Sequence, residues 1–572
     1  MIKTKHHLLI LALSVGLLVA ENPFDTLEIE APKPYSSVTQ IPQKTPRDMI
    51  SNPEIFIQVR EDFLQGDKDL SKHSVMLQNL YQQRQGKALW LKGSRLKGQK
   101  IQSLFRQIDH DLTLGYQSRI IKKRKKLANE LTRKHTQEGL IALELQLSSL
   151  YYDFLHHTIY GAIDWRGFQA QLKNLESQGI HANWVRYPLK LDILKLLSEE
   201  SISQTINQVT PKGYGYYQLR EALTHLYRIK WHGGWQKLPA FKSLKIGNRS
   251  QIVTKLRERL RISGDYRVCS QNANNSTLFD RCLESAVKRF QRRHQIKADG
   301  VVGKETQKLL NISVGEKIRK VKLNLDRIKW LPREKANRYV MVNIPEYMLY
   351  YIENAQTSKR LKVIVGDPKH PTPIFSNEIS YIVLNPYWKV PEGIVRKEIV
   401  PEMIKNPNYL KTQGLEAHET WEENSSIMPL DRIVWSDYLD PNNKFPYRLM
   451  QPPGARNALG KIKFKFPNRF SVYLHDTPTK HLFGREKRAF SHGCIRLSKP
   501  LSLLEAMMQN DPEISPSKTK QILASKKKKQ FYIKEKIPIH LIYLTTWVNP
   551  NHELTFGDDV YHYDQYQRRI IQ

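Results

Sequence analysis

A chain of 572 residues is too long for one domain at about 150 residues each, and three or four domains are expected. Hydrophobic residues at 40% and charged residues at 26% make an ordinary globular mix with ample core material, which excludes a disordered chain. The formal net charge of +36 calls for an acidic partner: nucleic acid, anionic lipid or an anionic wall polymer.

Lys3 and Lys5 precede the apolar run LLILALSVGLLVA at residues 8–20, and a polar, acidic stretch follows from Glu21. That layout predicts an export signal or anchor over residues 1–20, with Ala20 as the cleavage residue and the periplasm as destination. The run is short for a membrane span, which needs about 20 residues. Any membrane contact is therefore expected only through this segment. Residues 21–48 are proline-rich without periodicity and read as a linker.

Residues 49–245 carry apolar side chains at three- and four-residue spacing, as in LIALELQLSSLYYDFLHHTIYG, and predict an all-α scaffold. Its aromatic residues, among them Tyr81, Trp90, Tyr151, Tyr152 and Trp165, read as core rather than as a binding stripe. Residues 250–312 form a separate small unit of two or three short helices around a turn at Ala298-Asp299-Gly300 and Gly303.

From residue 336 to 550 the texture becomes strand-like. RYVMVNIPEYMLYYIEN and SKRLKVIVGDP alternate about turns, and ISYIVLNPYWKVP and RFSVYLHDTP continue the pattern. The irregular stretch at about 395–460 reads as an inserted cap over a site. The lysine run at 526–529 reads as a solvated loop, and 551–572 as a C-terminal tail. The fold class is thus α+β multidomain: an all-α scaffold, a small three-helix module, then a mostly β, sandwich-like domain with an inserted cap.

Chemistry concentrates near AFSHGCIRLS at 489–498. Thiol catalysis needs a thiolate, an imidazole to take and return a proton, and donors for an oxyanion. Cys494 follows Ser491-His492-Gly493, where glycine permits a tight turn with converging backbone N–H groups. His475 ends the alternating run SVYLH, so a strand tip and a turn bring imidazole and thiol together. Arg496 can favour the thiolate and grip a carboxylate. Cys269 and Cys282 are close enough in sequence to close a disulfide loop in an oxidising compartment, leaving Cys494 as a free thiol.

YLHDTP at 473–478, AFSHGCIRLS, and QPPGARNALGKIKFKFPN at 451–468 together resemble an L,D-transpeptidase of the large periplasmic type. The 250–312 unit resembles the peptidoglycan-binding helical module through Val287, Phe290, Gln291, Asp299, Gly300, Val302, Gly303 and Thr306. The resemblance implies Cys494 as nucleophile and His475 as general base and acid. It implies an oxyanion hole from the amides of His492, Gly493 and Cys494, supported by Ser491, and a stem-peptide carboxylate held by Arg496 with Tyr473 near the substrate.

The implied reaction is attack on a tetrapeptide stem, release of D-alanine, a thioester, and a 3→3 crosslink with a second stem. Water or a lipoprotein amine would divert it to carboxypeptidase or anchoring activity, and a catalytically silent wall-binding protein is the non-enzymatic alternative. The implied partners are peptidoglycan stem peptides and other cell-wall synthases, with carbapenems as inhibitors. No metal or organic cofactor is implied. A zinc set drawn from His475, His481, His492 and Cys494 has the spacings H-x5-H and H-x-C, which match no familiar hydrolase. Nucleic acid is not an expected partner, because export and the lack of a recognisable DNA- or RNA-binding motif argue against it.

Overall fold

A computed structural model describes residues 57–571 apart from 60, 116–117, 268–276, 334–335, 441 and 510–513. The expected signal at 1–20 and linker at 21–48 lie outside the described residues, as does Cys269 and with it the Cys269–Cys282 pairing. Two compact units are present. One holds residues 235–290 and 300–311; the other holds the helical region and the strand-rich domain.

The helical region is built around α1 (Gln137–Tyr160), capped by Thr136, whose side chain accepts the Gly139 N–H. Leu143, Leu147, Leu150 and Phe154 recur at helical spacing and are buried. The buried Glu144 carboxylate accepts the Tyr81 hydroxyl at 2.7 Å and the Trp90 N–H at 3.0 Å. Tyr81, Trp90 and Tyr151 are core, whereas Tyr152 and Trp165 are partly exposed. One short hairpin, β1 (Leu91–Lys92) with β2 (Arg95–Leu96), interrupts the helices.

α1 stops at Gly161, whose φ of +87° favours glycine. Helix α2 (Trp165–Asn174) follows, capped by the Asp164 carboxylate. In the other unit, α3 (Gln251–Ile262), α4 (Arg281–Arg293) and α5 (Lys304–Leu310) pack Val253, Leu256, Phe279, Val287 and Phe290 into a core. Buried Arg257 bonds the Asp280 carboxylate and the Tyr266 hydroxyl, both at 2.8 Å. Gly300, at φ +78°, sits where a Cβ would lie 2.7 Å from Glu284 Cγ.

Helix α6 (Val314–Lys329) joins the helical region to the strands. Its Asp326 accepts the Ala162 N–H at 2.9 Å and pairs with buried Lys329 at 3.1 Å. Lys329 also donates to the His157 carbonyl at 3.0 Å. A Cβ on Gly161 would lie 2.4 Å from Asp326 Cγ. Gly161→Ala is therefore expected to lower unfolding free energy by about 2–3 kcal/mol. Urea denaturation checks this, and a loss below about 0.5 kcal/mol, the size of an ordinary surface substitution, would contradict it.

The strand-rich domain opens with β3 (Arg338–Asn343), β4 (Met348–Glu353), β5 (Gln356–Gly366) and β6 (Phe375–Leu384). The insertion contributes β7 (Trp388–Lys389), β8 (Glu416–His418), β9 (Ile427–Met428) and β10 (Arg448–Gln451), a four-stranded sheet of its own. Val400, Met403, Leu410, Trp435 and Phe445 give it a separate small core. The main sheet continues with β11 (Ile462–Lys465), β12 (Leu474–His475), β13 (Ala489–Ser491), β14 (Ile495–Leu497) and β15 (Lys529–Ile542).

Its order is β13-β5-β14-β12-β11-β6-β15-β3-β4, and β4 also pairs with β5, so the sheet closes on itself. β12–β14 and β3–β15 run parallel; the other pairs among β3–β6, β11, β12, β14 and β15 are antiparallel. Ile462, Phe464, Leu474, Ile495 and Leu497 point into one core. With a side-chain period of two, the residues between them take the opposite face.

The C-terminal stretch differs from a tail. After α7 (Pro500–Met507), β16 (Thr546–Val548) pairs with β17 (Leu554–Phe556), and α8 (Tyr563–Ile571) ends the described chain. Tyr563 is fully buried, and Asp564 pairs with buried Arg327 at 2.7 Å. The closely spaced aromatic residues of YHYDQY account for this, because burying rings repays the ordering of the segment. In the lysine run, 526–528 are loop and Lys529 opens β15.

Candidate active site

Residues 492–494 connect β13 to β14. Gly493 lies at φ +102°, a conformation that glycine adopts without strain. Thr372 Oγ1 donates to the Gly493 carbonyl at 2.8 Å and accepts the Gly366 N–H at 2.9 Å. A Cβ on Gly366 would lie 2.0 Å from the His370 carbonyl, so the backbones meet where no side chain fits. Ser491 Oγ donates to the Cys494 carbonyl and accepts the Gly493 N–H at 3.3 Å. The turn is thereby held from inside and outside, and Cys494 leaves it as a partly buried free thiol.

Alternation puts Cys494 and Arg496 of the 494–497 segment on the face opposite Ile495 and Leu497. The same rule puts Tyr473 and His475 there, and Lys463 and Lys465 of β11 beside them. The parallel register sets Leu474 opposite Ile495 and His475 opposite Arg496, while β11 sets Lys463 opposite His475. Cys494 and His475 are therefore diagonal neighbours on one face of adjacent strands.

His475 is buried, and its Nδ1 lies 2.5 Å from the Asp476 carbonyl. A carbonyl only accepts, so Nδ1 carries the hydrogen and Nε2 holds the lone pair. Burial, then the positive charge of Arg496, lowers its pKa to about 3. The ring is neutral at physiological pH. The Asp476 carboxylate is not the orienting group: it accepts the Lys461 N–H at 2.9 Å and pairs with Lys480 at 2.5 Å.

Burial raises the Cys494 pKa, opposed by hydrogen bonds from the Tyr473 N–H and hydroxyl and by the charges of Lys463 and Lys465. Tyr473 is itself pushed well up by burial and by the neighbouring sulfur. The Lys463 ammonium sits 3.9 Å, and that of Lys465 5.0 Å, from the Tyr473 ring centroid. Burial and the like charge of Lys465 bring Lys463 down to about 8. Burial also lowers Arg496, while Cys494 acts in the opposite sense.

His492 lies elsewhere. Its Nε2 is 2.6 Å from Glu398 Oε1 in the insertion, and its ring lies tilted against that of His370, with centroids 4.4 Å apart. The structure thus brings Cys494, His475, Arg496 and Tyr473 onto one face, puts Ser491 and Gly493 in the supporting turn, and turns the His492 ring toward the insertion. Sequence reasoning missed Lys463 and Lys465. Their signal was the alternation KIKFKF, which puts both lysines opposite the buried Ile462 and Phe464. Among the described residues, no group of three or more His, Cys, Asp or Glu side chains is arranged to hold a metal ion.

Residues 337–514 match the family described as "L,D-transpeptidase catalytic domain". Residues 76–223 match a "Scaffold domain", and 249–310 match a "Putative peptidoglycan binding domain". A "Putative L,D-transpeptidase" of Haemophilus influenzae (strain ATCC 51907 / DSM 11121 / KW20 / Rd) is 31% identical over 246 residues, covering 43% of this chain and 48% of that protein. The chain thus spans about half the length of that curated relative.

Among solved structures, an L,D-transpeptidase from Stackebrandtia nassauensis is 15% identical, covers 52% of this chain and 94% of that one, and has a TM-score of 0.21. One from Mycobacterium smegmatis is 13% identical, with coverage of 36% and 59% and a TM-score of 0.18. Residues 337–514 are thus similar to an L,D-transpeptidase catalytic domain, in one chain with segments that match a scaffold domain and a peptidoglycan-binding domain.

Proposed function

We propose that the chain is a cysteine-dependent L,D-transpeptidase acting outside the cytoplasm on peptidoglycan tetrapeptide stems. One observation carries the reading: an imidazole held in its base form lies on the same sheet face as a partly buried thiol. His475 Nε2 takes the thiol proton as Cys494 Sγ attacks the carbonyl before the terminal D-alanine. The C–N bond then breaks, the proton passes to the departing amine, and a thioester remains. The amine of a second stem attacks the thioester, giving a 3→3 crosslink and returning the proton to sulfur.

The oxyanion is met by the Cys494 N–H and by the Gly493 N–H, whose 3.3 Å bond to Ser491 Oγ is long enough to exchange. Arg496, Lys463 and Lys465 surround the thiol with positive charge suited to stem-peptide carboxylates. Incubation with a disaccharide-tetrapeptide tests the reading: free D-alanine and a crosslinked dimer are expected. A purified, folded protein that yields neither overturns it, and D-alanine without dimer would restrict it to carboxypeptidase action.

The resting pair is thiol and neutral imidazole, because burial lifts the thiol and lowers the ring. Alkylation of Cys494 by iodoacetamide is therefore expected to accelerate with pH through 9 rather than level off near neutrality. A plateau below pH 7 would show a resting thiolate–imidazolium pair and contradict this assignment.

A further inference from the structure

A cavity of about 460 Å³, separate from the thiol face, lies where the helical region meets the strand-rich domain. That volume is in the range of small-molecule sites. Trp184 and Trp330 are buried against each other with ring centroids 5.4 Å apart, and Trp165 meets Trp330 edge-on at 5.1 Å. Tyr187 stands at the opening, 43% exposed, its N–H fixed to the Trp330 carbonyl at 3.0 Å.

The polar groups do not suit an apolar ligand. The Arg186 guanidinium sits 4.3 Å from the Trp165 centroid and 5.5 Å from that of Tyr160, and burial lowers its pKa. Among the described residues, neither Arg186 nor Arg469, which also lines the cavity, has a carboxylate partner. A half-buried guanidinium without a counter-ion is costly unless a ligand supplies one. Gln169 commits its Nε2 to the Trp184 carbonyl at 3.0 Å, which leaves its own carbonyl to accept a hydrogen bond.

We propose that this cavity binds an N-acetylated amino-sugar oligosaccharide bearing a carboxylate, a stretch of glycan strand. The exposed Tyr187 ring takes the apolar face of a pyranose ring, the Gln169 carbonyl accepts from a hydroxyl or acetamido N–H, and the guanidiniums take the carboxylate. The proposal rests on the peptidoglycan reading and gives it a second foothold. The cavity wall is tied to the catalytic turn: the Val185 N–H donates to the Ile374 carbonyl at 2.8 Å, and nearby Thr372 clamps Gly493. A glycan held here is set in register with the stem entering the thiol face.

The test is tryptophan fluorescence of the full chain titrated with a peptide-free GlcNAc–MurNAc tetrasaccharide, with chitotetraose and ATP as comparators. Saturable quenching is expected, stronger for the carboxylated sugar than for chitotetraose, and at least about tenfold weaker, 1.4 kcal/mol, in both Tyr187→Ala and Arg186→Ala. Arg469→Ala, at an exposed position, serves as the variant least able to disturb folding and should erase the preference for the carboxylated sugar. Absence of quenching, equal affinity in wild type and variants, or tighter binding of ATP overturns the proposal. Release of D-alanine from a sugar-free tetrapeptide should be unchanged in the variants. Failure of the enzymatic reading would instead appear as no release by wild type, whatever the sugar titration gives.

Discussion

Cys494→Ala is expected to lower D-alanine release by at least about four orders of magnitude while leaving the fold intact, because removing a nucleophile removes the covalent route altogether. The substitution is small and the site is partly open. The turn around it is fixed by Thr372, Ser491 and the close approach of Gly366, none of which needs the sulfur. Cys494→Ala should therefore match wild type in circular dichroism and thermal midpoint. A folded variant that keeps more than about a hundredth of wild-type turnover would mean that another group, or an activated water, does the chemistry.

His475→Gln is the second large effect, a fall of about 10²–10⁴ in acylation rate, the usual worth of a positioned acid–base group. Glutamine keeps a donor for the Asp476 carbonyl but supplies no basic lone pair at the thiol. The variant should retain a slow reaction that rises steeply with pH, as hydroxide replaces the missing base. Unchanged turnover at neutral pH would remove His475 from the mechanism.

Stability should move the other way in acid. The folded pKa of about 3 lies below the unfolded value near 6.5, so the unfolded chain binds more protons between those limits. The stability that the neutral ring contributes is present above 6.5 and is lost as pH falls toward 3. His475→Gln should lessen that acid sensitivity.

The candidate thiol site was legible in the sequence because the chemistry proposed for it demands local features. A strand tip ending in histidine and a Ser-His-Gly-Cys turn are each contiguous runs. Gly493 at positive φ is a position that a one-letter string can mark. The group that orients His475 had no such mark, since a backbone carbonyl exists at every residue and only the fold chooses Asp476. Lys463 and Lys465 were overlooked for a different reason: an alternating lysine strand ordinarily faces solvent, and only the β11–β12–β14 pairing turns that face toward Cys494.

Long-range pairing hid more of the fold than of the site. Closure of the sheet depends on β4 meeting β5 as well as β3, and the fully buried Tyr563 gives the last residues a helix where a tail was expected. Aromatic residues in the helical region mostly read correctly as core, with Tyr81, Trp90 and Tyr151 buried. Tyr187 escaped notice because single exposed aromatics are common, and its meaning comes only from the tryptophans and guanidiniums gathered around it.

Mass spectrometry of the intact protein after exposure to meropenem tests the thiol-acylation account most directly. A single covalent adduct that vanishes in Cys494→Ala is the predicted result. An adduct that survives loss of the sulfur, or folded wild-type protein that gains no mass, would contradict it.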